Sequence, residues 1–312
     1  MNKRYNFFVL FYLCIAIFLV ACSGTSKKDA SQPESKHFFW KVSDENSSVW
    51  VLGSIHLADS TLYPLAPVID SAFAHADELA VELNMNDEEV VKEVGEQSAA
   101  QGMLAEGTLR DLLPQDMWNT VDSLCTAWDV PIVMIEKTRP WLAAMTLSSY
   151  AFMQAGLNPE YGIDYVLLDR AAMDGKAIIG LETAEEQIGA LADTTESDSA
   201  GVYYLKTTLH EIAEFESLVS NLMQAWKTGD DEMLRRLLDD GEEEVPLQES
   251  KFKDEFEQRI YVNRNAKMAD SIATFLREDR NVFVVVGVAH LALEKDNVIE
   301  TLRKRGFKIE RL

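Results

Sequence analysis

Cysteine is scarce in this chain. There are three in 312 residues, at positions 14, 22 and 125. Cys14 lies inside the one long apolar run, Phe7 to Val20, and Cys22 follows its end. With a leader through Ala21 removed and Cys22 modified, Cys125 stands alone and no internal disulfide can form. Its surroundings, "SLCTAW", look helical, so Cys125 reads as a buried structural thiol. Basic residues are also in deficit. The chain has 29 Lys+Arg against 52 Asp+Glu, a formal net charge of −23. Without a basic footprint it is not a nucleic-acid binder. No stretch after Val20 is long and apolar enough to span a bilayer. Histidine is sparse too, with five in all.

What is present at the start is a leader. Lys3 and Arg4 give a positive beginning, and the apolar run that follows is short for a membrane span. Leu19-Val20-Ala21-Cys22 resembles a bacterial lipobox. An ordinary signal cut near Ala21 and an uncleaved anchor are the alternatives. The organisation expected is a lipoprotein signal over 1–21, a flexible tether over 22–38 and one folded domain over 39–312. The tether is Ser, Lys, Gly, Asp and Pro, which can bury almost nothing. Lipidation of Cys22 would make the bilayer a partner. It would also place the protein in the bacterial cell envelope, facing the periplasm, with its acidic body held off an anionic surface.

The rest reads as α/β. Trp40–Val42 and Val49–Leu52 form a hairpin around "SDENSS". "PLAPVIDSAFAHADELA" is a helix running into a strand, Leu79–Leu83. Residues 87–160 are mostly helical. "DYVLLDRAAMDGKAIIGLET" is helix, turn, then strand Ala177–Leu181. Residues 184–278 are helical again, with an acidic loop at "DDGEEE". Then come strand Val282–Val286, a closing helix and a short strand in "GFKIERL". The alternation predicts a mostly parallel central sheet with large helical insertions in a single domain.

Two stretches share a plan. "WVLGSIH" and "VFVVVGVAH" are β-favouring apolar runs, each carrying a Gly-x-x-His step, with Gly53 and His56 in one and Gly287 and His290 in the other. Either glycine would let the backbone turn sharply or let a ligand approach closely. "LAVEL" offers Glu82 and "AIIGLET" offers Glu182 at two further strand ends. If these strands are parallel neighbours, the four groups gather on one rim, where such sheets bind ligands. Imidazole and carboxylate are ordinary ligands for Zn²⁺ and Mn²⁺. Each residue alone has a plainer reading. His56 could cap a helix, Glu82 could be a solvated strand end, and Glu182 could open a helix in "LETAEEQ". The pair of steps together with Glu82 favours a shared site. Glu182 stays open between ligand and helix start. His37 falls in or near the tether, and His75 and His210 fall on helix faces.

From about Phe39 to Leu312 the chain resembles the TraB/GumN family, related to the Tiki-type metalloproteases. The motifs are the paired Gly-x-x-His steps, "RPW" at Arg139–Trp141, "YGIDYVLLDRA" at Tyr161–Ala171, "GKAIIGLETAEEQI" at Gly175–Ile188 and "NRNAKMA" at Asn263–Ala269. The resemblance implies a site built on His56, Glu82 and His290 around a divalent ion (Mn, Co or Zn). It adds Arg264 and Asn265 as polar site residues, whose plainer reading is a helix face packed on the sheet. It implies hydrolysis of a peptide or protein substrate at the peptide bond. Glu82 would ligate the ion or take a proton from bound water, and Arg264 would steady developing negative charge. The alternatives are a non-catalytic lipoprotein holding a metal or metallo-cofactor, and a structural lipoprotein whose histidines merely finish strands.

Overall fold

The hairpin at the start of the fold is tied at its turn by one side chain. Asp44 Oδ1 accepts the backbone N–H groups of Asn46 at 3.1 Å and Ser47 at 2.8 Å. This closes β1 (Phe39–Ser43) on β2 (Ser48–Ser54) in antiparallel register, with Ser43 opposite Ser48. The computed structural model describes residues 36–192, 198–213, 215–238 and 246–312. The expected signal, Cys22, most of the tether and the "DDGEEE" loop lie outside the described residues.

The protein is a single α/β domain around a six-stranded sheet of order β4-β3-β5-β2-β1-β6. β3 is Glu78–Val81, β4 Ala177–Gly180, β5 Val282–Gly287 and β6 Lys308–Arg311. β4, β3, β5 and β2 run parallel, whereas β1 is antiparallel to both β2 and β6. All of β5, "VFVVVG", is buried, as an unbroken apolar run requires in a strand covered on both faces. Phe283 of β5 stacks on Phe39 and meets Phe73, of helix Pro67–His75, edge to face. The strands match the expected ones within a residue or two, except that β3 ends at Val81 and leaves Glu82 just outside it.

The segment expected to be tether begins to pack earlier than its composition suggests. Phe38 is fully buried, the guanidinium of Arg311 lies 4.8 Å from its ring centroid, and the His37 N–H donates to the Leu312 carbonyl. Pairing with the C-terminal strand supplies burial that a Ser- and Lys-rich stretch cannot supply alone.

Helices between the strands complete the core. Phe215, Leu218, Leu222 and Trp226, on helix Phe215–Thr228, join the same apolar cluster as the sheet. The Trp226 indole N–H donates to the Gly53 carbonyl at 2.8 Å, which ties this cover to β2. A smaller cluster gathers Leu109, Trp118, Val121, Leu147 and Leu205 around the buried Cys125. Ahead of helix Arg264–Arg277 the backbone widens to a π-turn over Gln258–Asn263, a geometry often found beside functional sites.

Candidate functional site

Because β4, β3, β5 and β2 are parallel neighbours, their C-terminal ends open on one side. Glu182, Glu82, His290 and His56 follow those four ends in that spatial order. Register brings them into reach. Val81 lies opposite Val285, and the Gly287 N–H just beyond donates to Glu82 Oε1 at 2.7 Å.

The glycine of each Gly-x-x-His step serves something other than a left-handed turn. Gly287 has φ −50° and Gly53 sits inside β2. At Gly53 the reason is close approach. A Cβ there would fall 2.8 Å from Val288 Cγ2 and 3.1 Å from Val288 Cα. Its absence lets the short helix Val288–Ala292, which carries His290, pack against β2. A second close approach sets His56. At Gly162 a Cβ would fall 2.2 Å from the His56 carbonyl oxygen. The glycine lets helix Ile163–Met173 begin against the His56 backbone, and the Ile163 N–H donates to the Ile55 carbonyl at 3.1 Å.

That helix start delivers Asp164. Its Oδ2 is 2.6 Å from His56 Nδ1, and its Oδ1 accepts the Ser54 hydroxyl at 2.6 Å. Burial alone would raise the Asp164 pKa, but the nearby His56 and the hydrogen bonds from His56 and Ser54 outweigh it and hold the pKa below the usual value. An ionised Asp164 only accepts, so His56 Nδ1 carries a proton and donates.

His290 is oriented by another route. Its Nδ1 is 2.6 Å from Asn265 Oδ1, while Asn265 Nδ2 donates to the Asp296 carbonyl at 3.0 Å. The amide is thereby oriented with its oxygen toward His290, so Nδ1 donates and Nε2 carries the lone pair. Burial, then the charges of Arg264 and His56, push the His290 pKa well below its ordinary value. Its Nε2 lies 3.9 Å from Glu82 Oε1, longer than a hydrogen bond.

Arg264 joins the two carboxylates. Its Nε donates to Glu182 Oε1 at 2.8 Å, and its Nη2 stands 2.7 Å from both Glu182 Oε2 and Glu82 Oε2. Gln187 adds a 3.2 Å contact to Glu82 Oε2. Burial raises the Glu82 pKa, and the Arg264 charge only partly offsets it. The surface formed by Glu82 and His56, with Asp164 and Gln187, is the polar part of a cleft of about 520 Å³ including its mouth.

The structure therefore brings Glu82, Glu182, Arg264, Asn265 and His290 into one buried network and places His56 on the same cleft as Glu82. Glu182 both opens the segment before helix Ala184–Leu191 and spends both oxygens on Arg264. Thr183, not Glu182, is the cap of that helix. Sequence reading missed Asp164, Ser54 and Gln187. The signal for Asp164 was available in "YGIDY", where a carboxylate follows a glycine into the first turn of a helix. His75 and His210 are exposed on helices, as expected.

The donor set can be judged against a divalent ion. Two imidazoles whose Nδ1 atoms are held by a carboxylate and an amide oxygen match the usual outer-shell arrangement of metal-binding histidines. Glu82 Oε1 supplies the hard oxygen, and 3.9 Å from His290 Nε2 is less than twice a metal–ligand bond of about 2.1 Å. The donors fit in kind. Among the described residues, no group of three or more His, Cys, Asp or Glu side chains is placed to hold a metal ion.

The sequence profile of the TraB/PrgY/gumN family matches residues 38–311. YbaP, an uncharacterised protein of Escherichia coli (strain K12), is 25% identical over 194 residues, covering 61% of this chain and 69% of YbaP. An uncharacterised protein of Treponema pallidum (strain Nichols) is 20% identical over 232 residues, covering 72% of this chain and 69% of its own length. No solved structure matches the chain.

Proposed function

The chain belongs to the TraB/PrgY/gumN family, and from that premise we propose that it is a metal-dependent hydrolase acting on peptide bonds, anchored to the bacterial envelope by a lipid on Cys22. The observation that carries the hydrolase reading is the pair of histidines beyond neighbouring strand ends, each with Nδ1 held by a side-chain oxygen, with His290 Nε2 3.9 Å from Glu82 Oε1.

His56 Nε2 and His290 Nε2 would hold the ion, with Glu82 Oε1 as a third ligand or as the base. A bound Mn, Co or Zn ion would lower the pKa of a water molecule attached to it. Glu82 suits a base because burial raises its proton affinity. Asp164 and Ser54 orient His56, and Asn265 orients His290. Arg264 holds Glu82 and Glu182 through its Nε and Nη2, so in this reading it serves the carboxylates rather than a substrate oxygen. Lipid anchoring and a periplasmic site rest on Lys3, Arg4, the apolar run and Leu19–Cys22. Among the described residues, no helix is long and apolar enough to cross a membrane.

A second reading has its own support. His290 is wholly buried and Glu82 is 5% exposed, which suits an ion or metallo-cofactor held without turnover. Incubating the purified protein with a peptide library and each of the three metals separates the two. Cleavage that a chelator abolishes and His56→Ala removes supports the hydrolase. Tight metal binding with no cleavage supports the binder.

A further inference from the structure

The walls of the cleft restrict what could enter it. On one side Val81, Leu83 and Met85 extend from the end of β3. On the other, Leu168 and Tyr165 face in from helix Ile163–Met173, with Pro159 beside them. Among the described lining residues there is no Lys or Arg, and the ionisable groups besides His56 and Tyr165 are the carboxylates Glu82 and Asp164. The nearest cation of the network, Arg264, is buried behind them and donates to Glu82 and Glu182.

This arrangement has a consequence for ligand charge. In the metal-free protein an anionic group entering the cleft loses water without meeting a Lys or Arg, and it meets two acids. An apolar side chain loses water to matching walls. Five of the lining residues, Val81, Leu83, Met85, Pro159 and Leu168, are apolar, which suits an apolar side chain entering from the open mouth. Met85, unbranched and half-buried, can adjust to side chains of different shape.

We propose that the cleft binds an uncharged peptide segment through one large apolar side chain, of the size of Leu, Met or Phe, and rejects Asp or Glu at that position. As a statement of substrate class this rests on the hydrolase reading, but the binding preference can be tested without turnover.

The probes are acetyl-amino-acid methylamides carrying Leu, Phe, Glu or Lys side chains. They are titrated into the chelator-treated protein and followed by the methyl resonances of Met85 and Leu168. The Leu and Phe compounds should shift both methyl groups and bind on the order of tenfold or more tighter than the Glu compound. Met85→Lys, at a half-buried position that tolerates change better than Leu168, should weaken the Leu compound and strengthen the Glu compound, reversing the order. Equal or tighter binding of the Glu compound to the unaltered protein overturns the proposal, as does absence of binding by every probe. So does a Met85→Lys variant with unchanged order. Failure of the hydrolase reading would look different: the Leu compound binds, yet peptides with Leu at each position stay intact in the presence of metal.

Discussion

Replacing Arg264 with Met tests the buried network at its centre. Arg264 is 5% exposed, Glu82 5% and Glu182 7%, so the three charges lie out of water together. Methionine keeps much of the length and removes the charge, stranding two carboxylates. Breaking a buried ion pair by removing one partner costs about 3–5 kcal/mol. The lower end applies here, because Glu82 keeps the Gly287 N–H and the Gln187 amide, whereas Glu182 loses its donors from Arg264. A loss of about 3 kcal/mol is a large share of a total stability of roughly 5–15 kcal/mol. It should lower Tm by roughly 6–12 °C for a chain of this size. Acid should soften the loss. Burial already lifts the Glu82 pKa, and removing Arg264 lifts it further. The folded variant then holds a proton that the unfolded chain has released, so its unfolding free energy rises as pH falls toward the ordinary glutamate range. Urea unfolding at pH 7 and pH 5, followed by circular dichroism, reads both effects. Adding Glu82→Gln and Glu182→Gln to Arg264→Met should recover most of the stability. A variant as stable as the parent at pH 7, or a deficit that grows on acidification, would refute the reasoning.

Other perturbations address other joints of the structure. Asp164→Asn leaves one oxygen to serve both the His56 N–H and the Ser54 hydroxyl. Zn²⁺ or Mn²⁺ affinity by calorimetry should fall roughly 10–100-fold with the fold intact; unchanged affinity would remove Asp164 from the account. Gly53→Ala pushes a methyl group against Val288 and should cost about 1–3 kcal/mol in urea unfolding, with partial recovery when Val288→Ala is added. An undiminished midpoint would mean that the close approach is not needed. Cys22→Ser should release the protein from the membrane fraction or stall its processing. Unchanged partitioning and processing would contradict lipidation.

The strands were legible because each is a short β-favouring run, and the hairpin because "SDENSS" carries turn chemistry. The rim was legible too, since four such runs end in His or Glu and parallel strands end together. The strand order was not. β5 inserts between β3 and β2 although it lies about two hundred residues further along, and local pattern carries no information on such pairing. The plainer reading of Arg264 and Asn265, a helix packed on the sheet, and the site reading proved compatible in space. Both residues are buried on helix Arg264–Arg277 and both reach toward the rim. Glu182 stayed ambiguous because its partner is 82 residues away. Asp164 was hidden because its place beside His56 depends on Gly162 admitting the helix start, a packing fact with no periodic signature. Gly53 was expected to serve a turn or the approach of a ligand, and instead admits Val288 of a neighbouring helix.

The central claim is that His56 and His290 hold one ion. Calorimetric titration of Mn²⁺, Co²⁺ and Zn²⁺ into the metal-free protein, His56→Ala, His290→Ala and the double variant tests it directly. One site per chain is expected. Each single variant should bind far more weakly than the parent, and the double variant little more weakly than either single, because residues serving one site are not additive. Circular dichroism should show the fold retained. Native-like affinity in either single variant, or losses that simply add in the double, would contradict a shared ion.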